Sequence, residues 1–147
     1  MGYKCIVCGV TGSESAHKAA LEAAALARKD SAKLIYVYAV DASFLGRSLM
    51  AEMSQAHVED SLVNLGNHIL DHAEELAGHL GVIPEKIVKK GSPMQVLKDV
   101  VLDKEADLLV VGHEQRTRFE RKLIHGEVEE HIEAFKKETG VEVTIVK

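Results

Sequence analysis

Residues 108–111 read Leu-Leu-Val-Val, an unbroken apolar run set between Asp107 and Gly112. It is too short for a helix face and shows no alternation with polar residues, so it reads as a strand buried on both sides. A strand buried on both sides implies a covered sheet. At its carboxyl end, Gly112 opens a polar loop carrying Arg116, Arg118, Arg121 and Lys122. The carboxyl ends of strands are where open α/β sheets place ligands, so this junction is the first place to look for a site.

The rest of the chain repeats the same alternation of elements. Residues 3–10 form a β-rich run ending in Thr11-Gly12-Ser13-Glu14-Ser15. Ser13 or Ser15 suits the N-cap of a following helix, and Glu14 sets a carboxylate at its positive end. That helix runs to about Lys29 and turns Ala16, Ala19, Ala20, Ala23, Leu26 and Ala27 inward. Residues 33–40 make a second strand, with Val40 at its carboxyl end. Residues 42–55 mix Gly46 and three serines with Phe44, Leu45, Leu49, Met50 and Met53, which fits either a segment folding over a site or a partner surface, or a plain connection.

An amphipathic helix is expected over about 56–80, with Leu62, Leu65, Ile69, Ala73, Leu76 and Leu80 on its inner face and Gly81 ending it. Residues 86–90 alternate in polarity and suit an edge strand. Ser92, Pro93 and Gln95 form the pattern of a capping box at the start of a helix that reaches Glu105. After the basic loop, a helix over 127–137 turns Val128, Ile132 and Phe135 inward, and residues 141–146 close the chain as a fifth strand. Five strands alternating with helices give an α/β fold, a single domain with a mainly parallel sheet. In the last strand Val141, Val143 and Ile145 alternate with Glu142, Thr144 and Val146, and at a sheet edge its backbone would be left unpaired. Pairing with a second copy of the chain would satisfy it.

Composition excludes several classes. At 147 residues, 46% hydrophobic and 28% charged, the chain has the profile of a soluble globular domain. No stretch approaches the roughly 18 apolar residues of a membrane span, and no signal peptide precedes the first strand, so a cytoplasmic location is expected. A formal charge of −5 argues against non-specific nucleic-acid binding. Cys5 and Cys8 have C-x-x-C spacing, but on a strand they point to opposite faces about 10 Å apart, beyond disulfide reach. His68, His72 and His79 share one helix flank. Two helical histidines can bind zinc, but a convincing site needs three or four ligands, and none can be added from sequence, so no metal is expected. There is no G-x-S-x-G elbow, P-loop or G-x-G-x-x-G turn, and no catalytic residue is assigned.

Three stretches together resemble the universal stress protein family across essentially the whole chain. They are the opening CIVCGVTGSESAHKAALEAA, the central KKGSPMQVLKDVVLDKEADLLVVGH, and RTRFERKLIHGEVEEHI with the final VTIVK. The resemblance implies a Rossmann-like, adenine nucleotide alpha hydrolase-like fold: an open parallel five-stranded sheet of order 3-2-1-4-5, helices on both faces, and a homodimer through the last strand.

Many members of the family bind ATP through an aspartate after strand one and a G-x-x-G, nine residues, then G-S or G-T after strand four. Carried over to this chain, the candidate ligand positions are Thr11, Gly12 and Val40 on one side and Gly112, His113, Gln115, Arg116 and Arg118 on the other, closing at His125 and Gly126 in strict spacing or, with one residue inserted so that R-T-R-F-E-R-K-L-I keeps its register, at Gly126 and Glu127. Thr11 replaces the aspartate, Gln115 replaces the second glycine, and the terminal hydroxyl residue is absent. The resemblance therefore implies the branch that does not bind ATP: a non-enzymatic dimer acting through protein contacts or some other small ligand, with no cofactor. The alternative is an ATP or AMP switch with a variant phosphate loop at 112–127.

Overall fold

The structure, a computed structural model, describes residues 2–40, 55–112 and 127–146. Its elements run β1 (Cys5–Gly9), α1 (Glu14–Asp30), β2 (Lys33–Val40), α2 (Gln55–His79), β3 (Glu85–Lys90), α3 (Pro93–Asp103), β4 (Leu108–Gly112), α4 (Glu127–Thr139) and β5 (Glu142–Val146). The strands form one five-stranded parallel sheet in the order β3-β2-β1-β4-β5. Ile6 of the central strand lies between Leu34 and Leu108 in register. Both the α/β class and the strand order agree with the expectation from sequence.

Alternate residues of the inner strands enter two separate cores, as the period of two along a strand demands. Ile6, Cys8, Leu34, Tyr36, Leu108 and Val110 pack against the alanines of α1 and against Leu70, Ala73 and Ala77 of α2. Cys5, Val7, Ile35, Val37, Leu109 and Val111 pack against α3 and against Phe135 of α4. The two cysteines thus belong to different layers, as the strand geometry predicts. Val141 is buried in the second layer, and Val143 and Ile145 pack against it from β5.

The helix termini explain where the elements stop. Ser13 caps α1, its Oγ accepting the Ala16 N–H at 3.2 Å. The helix ends one residue beyond the expected Lys29, and Ser31 takes the left-handed turn at φ 54°. There the Ala32 N–H reaches the Ala27 carbonyl at 2.8 Å, which satisfies an end group that would otherwise be orphaned.

At α3 only half of the expected capping box forms. Ser92 Oγ accepts the Gln95 N–H at 3.4 Å, but the Gln95 side chain turns forward and donates its amide N–H to Asp99 at 2.8 Å instead of returning its carbonyl oxygen to accept the Ser92 N–H. A charged carboxylate one turn ahead makes the stronger bond for that side chain.

The inner face of α2 differs from the sequence expectation. Gly66, Leu70, Ala73 and Ala77 face the sheet, while Leu65 is 50% exposed. The cause is Tyr38. A β-carbon at Gly66 would stand 2.4 Å from Tyr38 Cδ1, so this turn of α2 rests its backbone directly on the aromatic ring. The helix rotates to present its small residues there, and Leu65 is carried outward.

Among the described residues, no helix is long and apolar enough to cross a membrane.

Candidate functional site at the carboxyl end of the sheet

Strand order reverses at β1, with β2 following on one side and β4 on the other. In open α/β sheets this switch point leaves a crevice at the carboxyl ends of the two diverging strands. Here it is bounded by the Thr11–Ser13 turn and by Gly112.

The turn after β1 is held by its own hydroxyls. Thr11 Oγ1 lies 2.9 Å from Ser13 Oγ and accepts the Ser13 N–H at 3.2 Å. Ser13 Oγ in turn caps the Ala16 N–H. These contacts draw the Thr11 hydroxyl into the cap of α1. The carboxylate of Glu14 occupies the first turn and complements the positive end of the helix dipole.

Gly112 is buried and meets the same first turn from the other side. A β-carbon on it would come within 2.7 Å of both the Ala16 nitrogen and the Ser15 carbonyl carbon. The sequence places this glycine among the candidate ligand positions. In the structure, the close approach that demands glycine is to α1.

Gly12 lies under α2, where an added β-carbon would be in ordinary contact with Ile69 Cδ1 at 3.7 Å. Ile69 had been placed on the inner face of α2, but nothing in its local sequence marks it as a neighbour of the β1 turn. Val40 is buried at the end of β2, and its carbonyl accepts the Gly91 N–H at 3.0 Å. That bond fixes the β2 rim to the turn before α3. Beyond the rim, α2 continues upward, since it runs opposite to β2 and Gly66 already stands beside Tyr38. Glu59 on this overhang pairs with Lys90, the last residue of β3, at 2.9 Å.

The structure therefore brings Thr11, Gly12 and Gly112 together around the start of α1, with Val40 on the neighbouring strand end. His113, Gln115, Arg116, Arg118 and Gly126 lie outside the described residues, as do residues 42–54. Glu127 is the first residue of α4. Among the described residues no group of three or more His, Cys, Asp or Glu side chains is placed to hold a metal ion.

Comparison with known proteins agrees with this architecture. The profile of the universal stress protein family matches residues 2–146. Universal stress protein MJ0531 of Methanocaldococcus jannaschii is 32% identical over 131 residues, spanning 88% of this chain and 75% of that protein. Among solved structures, a universal stress protein in complex with cAMP superposes with a TM-score of 0.66 at 24% identity, covering 100% of this chain and 98% of the other. The universal stress protein from Archaeoglobus fulgidus in complex with dAMP does so with a TM-score of 0.68 at 19% identity, with 100% of both chains covered. At those identities the two superpositions speak to the fold. The family profile and the M. jannaschii relative carry the assignment, and on them the chain belongs to the universal stress protein family.

Proposed function

We propose that this chain is a cytoplasmic, regulatory universal stress protein that works as a homodimer through protein contacts, without enzymatic activity and without holding ATP in the manner usual for its family. The observation that carries the reading is the Thr11–Ser13 hydroxyl pair. At the position where ATP-binding relatives have an aspartate for the ribose, the only side-chain oxygen is that of Thr11, and it is committed to the α1 cap. Glu14 adds a negative charge at the helix end that would otherwise favour phosphate. Gln115 supplies a side chain where the family's loop has glycine. Dimer formation is supported by the edge position of β5, whose outer backbone groups have no neighbouring strand in the sheet.

The test is mass spectrometry of protein purified without added ligand, native for the assembly mass and then denaturing for released small molecules. An empty dimer is expected. Co-purified ATP or AMP overturns the absence of nucleotide, and a monomer overturns the assembly.

A second reading is a switch that takes an adenine nucleotide through a variant phosphate loop at 112–127, using His113, Arg116 and Arg118. It is favoured by the likeness over the full chain to universal stress proteins solved with cAMP and with dAMP. A rise in melting temperature with millimolar AMP or cAMP would support it, since a ligand that binds only the folded state must stabilise it. An unchanged melting temperature removes it.

A further inference from the structure

The histidine that meets His72 comes from another helix. The imidazoles of His17 on α1 and His72 on α2 have ring centroids 5.5 Å apart, with their planes tilted by 40°. His17 is half-buried and His72 exposed, so the gap between them is open to solvent. From this geometry we infer that His17 and His72 form a two-histidine site for a borderline divalent transition ion such as Zn²⁺ or Ni²⁺, clamping α1 to α2.

The centroid separation of 5.5 Å falls within the range that two imidazoles on one ion would take. Metal–nitrogen bonds of about 2.0–2.1 Å place two ring centroids on a shared tetrahedral or somewhat wider site roughly 5–6 Å apart. The scaffold is rigid on both sides. His17 belongs to the first hydrogen-bonded turn of α1, its N–H donating to the Ser13 carbonyl at 3.1 Å. His72 lies between Ile69, which sits over Gly12, and Ala73, which is buried in the core. Ligands on packed helices hold their geometry better than ligands on loops.

The flanking turns carry Glu14 on α1 and Asp71 and Glu75 on α2, with Lys18 and His68 as the other ionisable neighbours in sequence. Of these, Asp71 is engaged by the Lys86 ammonium at 2.8 Å. With no group of three ligating side chains among the described residues, the ion takes two protein nitrogens, and water completes its shell. Imidazole pairs of this kind select zinc, nickel or copper over magnesium and calcium.

The experiment is thermal unfolding of the full chain at pH 7.5 with ZnCl₂ or NiCl₂, using MgCl₂ as the control. The transition ions are expected to raise the melting temperature by about 4 °C at saturating concentration, and magnesium to leave it unchanged. The rise should disappear in His17→Ala and in His72→Ala, and persist in His68→Ala. No rise in the unaltered protein overturns the inference. So does a rise that survives His17→Ala but is lost in His68→Ala, which would assign the ion to the i, i+4 pair on α2 alone. Imidazole ¹⁵N resonances give a readout independent of the variants' folding: His17 and His72 should move together at one ion per chain, and movement confined to His68 or His79 overturns the site.

Discussion

Gly112 and Ala16 touch backbone to backbone where β4 meets the start of α1, and a β-carbon on Gly112 would stand 2.7 Å from the Ala16 nitrogen. Neither partner is a flexible side-chain tip, so no rotamer change relieves the clash. Gly112→Ala should therefore destabilise the fold by about 1–3 kcal/mol, the range typical of an overpacked core. Urea denaturation of the variant checks this. A loss below about 0.5 kcal/mol would mean that the rim of the sheet yields easily.

Gly66 is the second backbone contact of this kind, and here two effects oppose each other. Replacing a helical glycine by alanine ordinarily gains about 1 kcal/mol of helix propensity. The new methyl would lie 2.4 Å from Tyr38 Cδ1 and 2.9 Å from Tyr38 Cγ. The Cγ atom is tethered close to the β2 backbone and has little room to swing away, so the clash should win. Gly66→Ala is expected to lose about 1–2 kcal/mol, the scale of an overpacking strain net of that gain. In a Tyr38→Ala background the same substitution should become neutral or stabilising. A double-mutant cycle by chemical denaturation measures the coupling directly.

These two glycines mark the limit of what the sequence discloses. The strands were legible because each is a short apolar or alternating run, and Ser92-Pro93 announced the start of α3 by local chemistry alone. Leu65 and Leu70 were not legible in the same way. Hydrophobic spacing along α2 admits either face, and the choice is made by Tyr38, twenty-eight residues before Gly66 in the chain. The candidate site divides likewise. Gly112 was found through the strand end it occupies, and Thr11 and Gly12 through the family motif, whereas the Ile69–Gly12 contact and the His17–His72 pair arise between elements whose packing no local pattern encodes.

The C-x-x-C pair should behave as two independent structural thiols. Cys8 is fully buried, and burial pushes its thiol well above the ordinary value of 9.0; Cys5 is raised by the same cause, with Lys33 opposing. Treatment with a mild oxidant should leave the mass of native protein unchanged, because Cys5 and Cys8 lie in different core layers. A thiol reagent at pH 8 should leave Cys8 unmodified until denaturant is added. A two-proton mass loss in the native state, localised to residues 5–8, would contradict the observed strand geometry.

Alkaline stability follows from the same burial. Cys8 and Tyr36 both have folded-state values raised by desolvation above their ordinary 9.0 and 10.0. Both groups are neutral in the fold, and the unfolded chain ionises them first. Their contribution is thus fully present below about pH 9 and is lost progressively as the pH rises toward their raised values. Melting temperature should fall above pH 9, and Cys8→Ala should flatten the first part of that fall even while lowering stability at neutral pH. An equally steep decline in the variant would place the alkaline sensitivity elsewhere.

Restoring the family's aspartate tests which half of the nucleotide site is missing. Thr11→Asp keeps an oxygen able to accept the Ser13 N–H, so the turn after β1 should survive with a stability change within about 0.5 kcal/mol. It also adds a carboxylate close to Glu14, and the phosphate side of the site is untouched, with Gln115 still replacing glycine. A ribose contact alone cannot hold a triphosphate against that charge. Calorimetry on Thr11→Asp is therefore expected to show no ATP binding at micromolar concentrations, and Gln115→Gly must be added before any heat appears. Micromolar affinity in the single variant would show that the phosphate loop is intact and that the ribose partner was the whole deficit, which would move the chain from the branch without ATP to one substitution away from the branch that binds it.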